Sequence, residues 1–277
     1  MLIGLRPDDQ GALAAEGHAS RLAARPRLIG IGMGKTGTHA LASLFAPVRA
    51  AHEAEAARAI DLILAYEAGT ADWRDMRRFV LDRDQRLGLT VDVSNLNLFF
   101  VDVWLAVAPD TRFVLTVREP RSWLDSILNH YLCRPPADAW RAFAARRFGH
   151  DEAPHPAGEQ VLADAGLHPL DGYLSYWRTH MEKALGTVPA ERLLVVPFDR
   201  IATEAARIAT FAGLSAADTD PSRINEYRNP AKRPILDQIP SSHVESCIGR
   251  WCGPFMGMFA PHTELPPGSP SATASAP

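Results

Sequence analysis

One lysine in a glycine-rich turn is the residue of this sequence best suited to chemistry. A short apolar run at 27–31 precedes the turn, and apolar spacing over 38–45 predicts a helix after it. The backbone N–H groups of the turn then lie at a helix N-terminus, where free donors and the helix dipole stabilise an anion. Lysine is rare here, three among 29 basic residues. The pattern predicts a phosphate-binding loop with the candidate contacts Gly34, Lys35, Thr36, Gly37, Thr38 and His39.

The loop differs from the phosphate loop of nucleotide triphosphatases. That loop needs a glycine five residues before its final Gly-Lys pair, and here Ile29 stands at that position while Gly30 comes one residue late. A kinase or NTPase that uses Mg-ATP therefore remains an alternative with an imperfect match. Residues 35–38 instead resemble the 5′-phosphosulfate loop of the sulfotransferases, in which Lys or Arg and then Ser/Thr-Gly-Thr follow the first strand directly.

A second segment, residues 112–131, resembles the 3′-phosphate segment of the same family. It reads as a strand over 112–117, then Arg118, then a helix that has Pro120 in its first turn. In the family, an arginine at the strand end and a serine with seven residues between them hold the 3′-phosphate of the donor. Arg118 and Ser126 have this spacing, and a guanidinium offers a planar fork of donors to a phosphate. An ion pair of Arg118 with a neighbouring carboxylate is the alternative interpretation.

A third segment, residues 192–215, resembles the strand, acidic turn and helix end that complete the family pattern. Asp199 supplies the acid, and Phe198 stands where many members have a tyrosine. The resemblance implies that Phe198 lines the adenine pocket without the hydroxyl group. It covers about two thirds of the chain, residues 27–215.

The resemblance implies the donor and its chemistry. The donor is 3′-phosphoadenosine-5′-phosphosulfate (PAPS), the product is adenosine 3′,5′-bisphosphate (PAP), and an acceptor hydroxyl or amine attacks sulfur in line. Electrostatic stabilisation of the leaving group is then the main catalytic task, and Lys35 is placed to perform it. No metal is expected, in contrast to a kinase.

The general base is predicted at one of two places. Family members carry a glutamate just after the first helix or a histidine at the end of the strand before the 3′-phosphate strand. The first place holds His52 and Glu53, and the second holds Asp92 without a histidine. Glu53 is the favoured base, with His52 and Asp92 as rivals. Glu53 can also be a charge at a helix start, and Asp92 can be a helix cap.

A late basic loop at 223–240 supplies further candidates for the 3′-phosphate. The resemblance implies that such a loop closes over the nucleotide, with Arg228, Lys232 and Arg233 as contacts and Arg250 as a weaker one. Ordinary solvated charges are the alternative.

These residues require an α/β fold with a central parallel sheet. Strands are expected near 27–31, 87–91, 112–117 and 192–197, separated by helices that include 53–67, 72–85 and one from about 97. Right-handed crossovers place the carboxyl ends of all parallel strands on one edge. The phosphate loop, Asp92, Arg118 and Phe198 should gather there.

Length and composition agree with one domain. We predict an N-terminal arm at 1–25, a single domain at 26–263 and a disordered tail at 264–277. A net charge of −3 argues against a nucleic-acid partner, and no run approaches the ~20 apolar residues of a membrane span. Three cysteines suit a reducing compartment, so a cytoplasmic protein is expected. Cys247, Cys252 and His243 lack a fourth ligand for a metal site.

Three functions follow from these features. The leading one is a cytoplasmic sulfotransferase that acts on a hydroxyl of a small molecule or a glycan; the others are a Mg-ATP kinase and a non-catalytic nucleotide-binding protein of the same fold. The acceptor and the oligomeric state are not encoded in any motif. Residues 53–85 and 132–170 are the expected acceptor lining, with these members: Trp73, Arg134, Trp140, Arg146 and Arg147.

Overall fold

A five-stranded sheet with strand order β2-β3-β1-β4-β5 forms the centre of the protein, and every neighbouring pair is parallel. The computed structural model describes residues 3–16, 22, 25, 27–149, 154–225 and 232–259. The strands are β1 Leu28–Gly30, β2 Ala50–His52, β3 Val91–Val93, β4 Arg112–Val117 and β5 Leu193–Pro197. The predicted α/β class with a parallel sheet is confirmed.

Helices cover both faces of the sheet. Within the described residues they are α1 Pro7–Glu16, α2 Thr38–Leu44, α3 Ala56–Ala68, α4 Trp73–Leu87, α5 Val101–Val107, α6 Pro120–Cys133, α7 Asp138–Phe148, α8 Gln160–Asp164, α9 Leu170–Thr187, α10 Ala205–Phe211 and α11 Ser241–Cys252. Short 3₁₀ turns join several of them, including one at Asn95–Phe100 before α5.

Alternating side chains of the strands divide the interior into two cores. In β4, Phe113 and Leu115 belong to the larger core, which includes residues of α3–α7, α9 and α11, whereas Val114 belongs to the core under α2 and α10. This alternation follows from the two-residue period of a strand. β1 lies between β3 and β4, so the loop after β1 is flanked by the residues that follow those two strands.

Two strand assignments from the sequence need correction. The strand expected at 87–91 begins only at Val91, because α4 continues to Leu87 and ends at Gly88 in the left-handed region. β2 was not predicted. Its sequence, Ala-Ala-His, lacks the β-branched and aromatic residues typical of strands, and it pairs only with β3 at the edge of the sheet.

The N-terminal residues pack on the larger core. Ile3, Leu5 and Leu13 are buried, and the N–H of Leu5 donates to Asp102 Oδ2 of α5 at 2.9 Å. Lys183 of α9 also donates to Asp102. The described part of the predicted arm therefore shares the core of the domain.

Several sequence predictions lie outside the described residues. These are the disordered tail at 264–277, Arg228 in the late basic loop, and the ends of the predicted domain at 26 and 260–263. The division into arm, domain and tail stays a prediction. None of the described helices is both long and apolar enough to cross a membrane.

Candidate active site

The turn between β1 and α2 is a tight loop held by two left-handed residues. Lys35 has φ 71° and Gly37 has φ 92°, and the second value suits glycine because it lacks a Cβ. A Cβ on Gly37 would lie 2.6 Å from Ile201 Cδ1. The left-handed region is unusual for a lysine, and such conformations occur where the surroundings hold them and often where function needs them.

The start of α6 holds this turn in place. Arg118, at the end of β4, donates from Nη1 to the carbonyl of Lys35 at 3.2 Å, and Trp123 donates from Nε1 to the carbonyl of Gly34 at 2.9 Å. Arg118 also donates to Ser122 Oγ at 2.9 Å and lies 4.3 Å above the ring of Phe198. These contacts join the two segments that the sequence analysis expected to meet at the carboxyl edge of the sheet.

A cavity of about 810 Å³ opens above the carboxyl ends of the strands. Eleven of the fourteen predicted site residues line it: Gly34, Lys35, Gly37, Thr38, His39, His52, Glu53, Arg118, Ser126, Phe198 and Lys232. Thr36, Asp92 and Arg233 are not among its lining residues. The structure therefore brings most of the predicted site together.

Thr36 supports the loop from behind. Its hydroxyl donates to the carbonyl of Met33 at 2.7 Å and lies 2.9 Å from Thr116 Oγ1 of β4. The side chain is fully buried. Its hydroxyl therefore fixes the turn to the sheet instead of facing the cavity.

Asp92 faces away from the cavity. Val91 and Val93 point to the core under α2, so Asp92 between them points to the opposite face. There Arg83 of α4 binds both carboxylate oxygens, with Arg83 Nη2 2.9 Å from Asp92 Oδ1. Arg83 Nη2 also donates to the carbonyl of Ala54 at 3.0 Å. This geometry does not support Asp92 as a general base, because its oxygens are engaged by the guanidinium; it anchors the segment that carries Glu53.

His52, the last residue of β2, and Glu53, which follows it, line the cavity. Glu53 has φ 53°, and its N–H donates to the carbonyl of Val93 at 2.9 Å. Burial raises the pKa of Glu53 to about 7. Burial, with a contribution from His39, lowers the pKa of His52 to about 4, and His52 Nε2 lies 3.1 Å from Thr38 Oγ1. A carboxylate with a pKa near neutrality can exchange a proton near pH 7.

Positive charge collects around Lys35. Burial, then Arg118 and Arg134, lowers the pKa of Lys35. Burial, then Lys35 and Arg134, lowers the pKa of His130 to about 4, so His130 is neutral at pH 7. These cations suit a ligand with several negative charges.

Two titratable cavity residues on α6, His130 and Tyr131, were missing from the predicted donor and catalytic sites. His130 lines the cavity and lies four residues after Ser126, so both stand on one face of α6. Tyr131 lines it as well. That helical spacing was a signal that could have found His130 in the sequence.

The predicted late basic contacts are only partly in place. Lys232 lines the cavity and binds Asp125 of α6. Arg233 uses its backbone N–H to donate to Asn129 Oδ1 at 2.6 Å, and its side chain is exposed. Arg250 pairs with Asp171 at 2.8 Å and does not line the cavity.

Only some of the predicted acceptor residues line the cavity. Arg134 and Trp140 line the cavity. Trp73 is buried in the larger core, and Arg146 and Arg147 pair with Glu67 at 3.2 and 2.6 Å. The last three residues therefore serve packing and ion pairing.

A separate cluster joins α11 to the segment before α8. His243 Nε2 lies 2.7 Å from Glu159 Oε1 and 3.7 Å from Cys247 Sγ. Glu159 is fully buried and accepts the N–H of Leu170 at 2.8 Å. The sequence analysis considered His243 with the cysteines and did not foresee Glu159. These hydrogen bonds satisfy the buried carboxylate of Glu159, which links α11 to the start of α9.

Comparisons with known proteins identify the family of this chain. Residues 27–200 match the sulfotransferase domain family, and the chain belongs to that family. A relative, Ava biosynthesis cluster protein M of Aspergillus versicolor, is 30% identical over 121 residues, 41% of this chain and 46% of that protein. The match thus spans about half of that relative's length. A crystal structure of a sulfotransferase from Alicyclobacillus acidocaldarius aligns over 84% of this chain and 97% of its own, with 14% identity and a TM-score of 0.48.

Proposed function

We propose that the protein transfers a sulfuryl group from PAPS to a hydroxyl or amine of a small-molecule or glycan acceptor. One observation carries this proposal: the Lys35 turn and the pair Arg118 and Ser126 line the same cavity. PAPS has anionic groups at its 5′ and 3′ positions and needs two anion sites in one pocket. A kinase site for ATP needs only the first.

The reaction follows from the groups at the first anion site. The acceptor oxygen attacks sulfur, a new S–O bond forms, and the S–O bond to PAP breaks with its electrons on the leaving oxygen. Lys35 and the N–H groups at the start of α2 stabilise the charge that develops there. The proton of the acceptor hydroxyl passes to Glu53, which we assign as the general base.

Other residues of the cavity bind the 3′-phosphate and the adenine of the donor or orient the loop. Arg118 and Ser126 bind the 3′-phosphate, Phe198 contacts the adenine, and Lys232 closes the pocket from the late basic loop. His52, neutral at pH 7, orients the hydroxyl of Thr38. The reaction needs no metal ion in this scheme. Three free cysteines agree with a cytoplasmic protein.

Calorimetric titration tests the donor assignment. Purified protein is titrated with PAP without metal and, in parallel, with ATP plus Mg²⁺. We expect PAP to bind without metal and more tightly than Mg-ATP. Preference for Mg-ATP would contradict the proposal and favour a kinase, and binding of PAP without transfer to any acceptor would favour a non-catalytic nucleotide-binding protein.

Two substitutions separate binding from catalysis. Arg118→Ala should weaken PAP binding by about 2 kcal/mol or more, because a charged hydrogen-bond partner is lost. Lys35→Ala should lower kcat far more than it weakens PAP binding, since its contact strengthens as the leaving group gains charge. Arg121→Ala is the control, because Arg121 lies three residues after Arg118, in the first turn of α6, and pairs with Glu245 outside the cavity. Unchanged PAP affinity in Arg118→Ala would remove Arg118 from the site.

A further inference from the structure

The part of the cavity beyond Glu53 is walled by aromatic rings. Phe148 packs edge-on against Tyr131 and Tyr176, with ring centroids 5.9 and 5.4 Å apart. Trp140 packs edge-on against Phe143 at 5.7 Å. All five side chains line the cavity. Because the rings contact one another, the wall is a preformed apolar surface.

This aromatic wall adjoins the reacting groups. Burial, then Tyr173, Tyr176 and the charge of Glu53, raises the pKa of Tyr131, and Tyr131 and Glu53 both line the cavity. Arg134 interacts with Lys35 on the same side. Arg118 and Phe198 belong instead to the nucleotide side, where they contact each other. A molecule that rests on the aromatic wall therefore shares the cavity with Glu53 and Lys35.

Three polar atoms of residues that line the cavity are buried in the protein. Tyr176 Oη, Asn95 Oδ1 and His130 Nδ1 belong to residues that line the cavity, but each of these atoms is buried from solvent. Phe143 and Phe148 carry no polar side-chain atom, so together with Tyr176 they offer only carbon atoms to a ligand. A sugar would lose water from several hydroxyl groups there without gaining partners, which is costly, whereas a flat ring loses little.

We propose, on the basis of the function proposed above, that the acceptor is a planar hydroxyaromatic compound and not a glycan. Its ring lies on the wall formed by Tyr131, Trp140, Phe143, Phe148 and Tyr176, and its hydroxyl oxygen attacks the donor sulfur. Glu53 takes the hydroxyl proton and PAP leaves, so the products are an aryl sulfate ester and PAP.

Binding to the PAP-saturated protein tests the acceptor class. The probes are 2-naphthol, its saturated analogue decahydro-2-naphthol, and methyl β-glucoside, each titrated by calorimetry. We expect 2-naphthol to bind at least tenfold more tightly than the glucoside and several-fold more tightly than the saturated alcohol, because aromatic pairs add to simple burial. Equal or tighter binding of the glucoside would overturn the inference.

A matched pair of variants locates the ring. Trp140→Ala should weaken 2-naphthol binding about tenfold and leave PAP affinity unchanged. Trp251→Ala is the control, because Trp251 is also a partly buried tryptophan but lies outside the cavity and donates to Asp171. Equal effects of the two variants on 2-naphthol binding would overturn the placement of the ring against Trp140. PAP binding with no binding of 2-naphthol would overturn this inference alone, whereas failure of PAP to bind would overturn the proposed function as well.

Discussion

At the scale of single residues, the site combines strained backbone with shifted acid–base groups. Lys35 and Glu53 both have positive φ values, which costs free energy and persists only where other contacts enforce it. Hydrogen bonds to the backbone supply those contacts, from Arg118 to the carbonyl of Lys35 and from the N–H of Glu53 to Val93. The two side chains proposed to act on the leaving group and the acceptor are therefore fixed from the backbone.

Glu53 should set the pH dependence of transfer. A general base must be ionised, so the rate should rise as pH increases through about 7, the raised pKa of Glu53, and level off above it. Glu53→Gln should lower kcat by about 10²- to 10⁴-fold and remove this limb from the pH–rate profile. Glu55→Gln is the control, because Glu55 also has a positive φ but pairs with Arg58 and Arg86 outside the cavity. A retained limb in Glu53→Gln would exclude Glu53 as the base.

The same variant should change stability in a defined direction. An acid whose pKa is raised on folding binds more protons in the native state, so its ionisation destabilises the fold as pH increases from its ordinary pKa of 4.5 to about 7. Glu53→Gln should therefore raise Tm at pH 8 and not at pH 4, as thermal denaturation would measure. A lower Tm at pH 8 would show that the ionised carboxylate stabilises the fold.

At the scale of elements, the phosphate loop depends on the segment after β5. Ile201 and Phe198 stand directly against Gly37, with Phe198 Cβ 3.4 Å from the place of a Cβ. The start of α6 holds the loop from the other side through Arg118 and Trp123. The three segments that resemble the family thus form one packed unit around the loop.

Gly37→Ala should disrupt this unit. The new methyl group would lie 2.6 Å from Ile201 Cδ1 at a residue with φ 92°, so the loop must shift. We expect PAP binding to weaken at least tenfold and the free energy of unfolding to fall by about 1–3 kcal/mol. Gly69→Ala measures the effect of the left-handed backbone without a steric clash. Gly69 ends α3 with φ 78° and has open space around its Cβ position. Gly69→Ala should lower the free energy of unfolding by about 1 kcal/mol and leave PAP affinity unchanged. Equal PAP affinity in both variants would exclude the packing role of Gly37.

At the scale of the whole molecule, the site lies at the carboxyl ends of the strands, whereas the two hydrophobic cores provide the stability of the fold. The larger core extends from α1 to α11, so residues far apart in the sequence share one interior. Leu5 contributes to this core from the N-terminal segment and is 2% exposed. No residue described in that segment lines the cavity.

Leu5→Ala should therefore separate stability from function. Removal of a buried leucine side chain costs about 2–4 kcal/mol, because apolar burial and packing are both lost. PAP affinity of the folded protein should stay unchanged. Leu185→Ala is the matched control, since Leu185 on α9 is 37% exposed and should change the free energy of unfolding by less than about 0.5 kcal/mol. Denaturant titration measures both, and an equal effect of the two variants would contradict the packing of the N-terminal segment.

The sequence by itself determined the parallel α/β sheet, the loop at Lys35 and the meeting of this loop with Arg118 and Phe198 at the carboxyl edge of the sheet. These features depend on local spacing, on strand and helix periods, and on the rule that parallel strands end on one edge. Tertiary structure alone decided the partners of polar side chains. Thr36 turns to Thr116 and Asp92 turns to Arg83 because strand alternation and the position of α4 bring those groups together. Tertiary structure also decided which aromatic residues line the cavity. Tyr176 is buried like a core residue and reaches the cavity wall through the packing of α9 against α7.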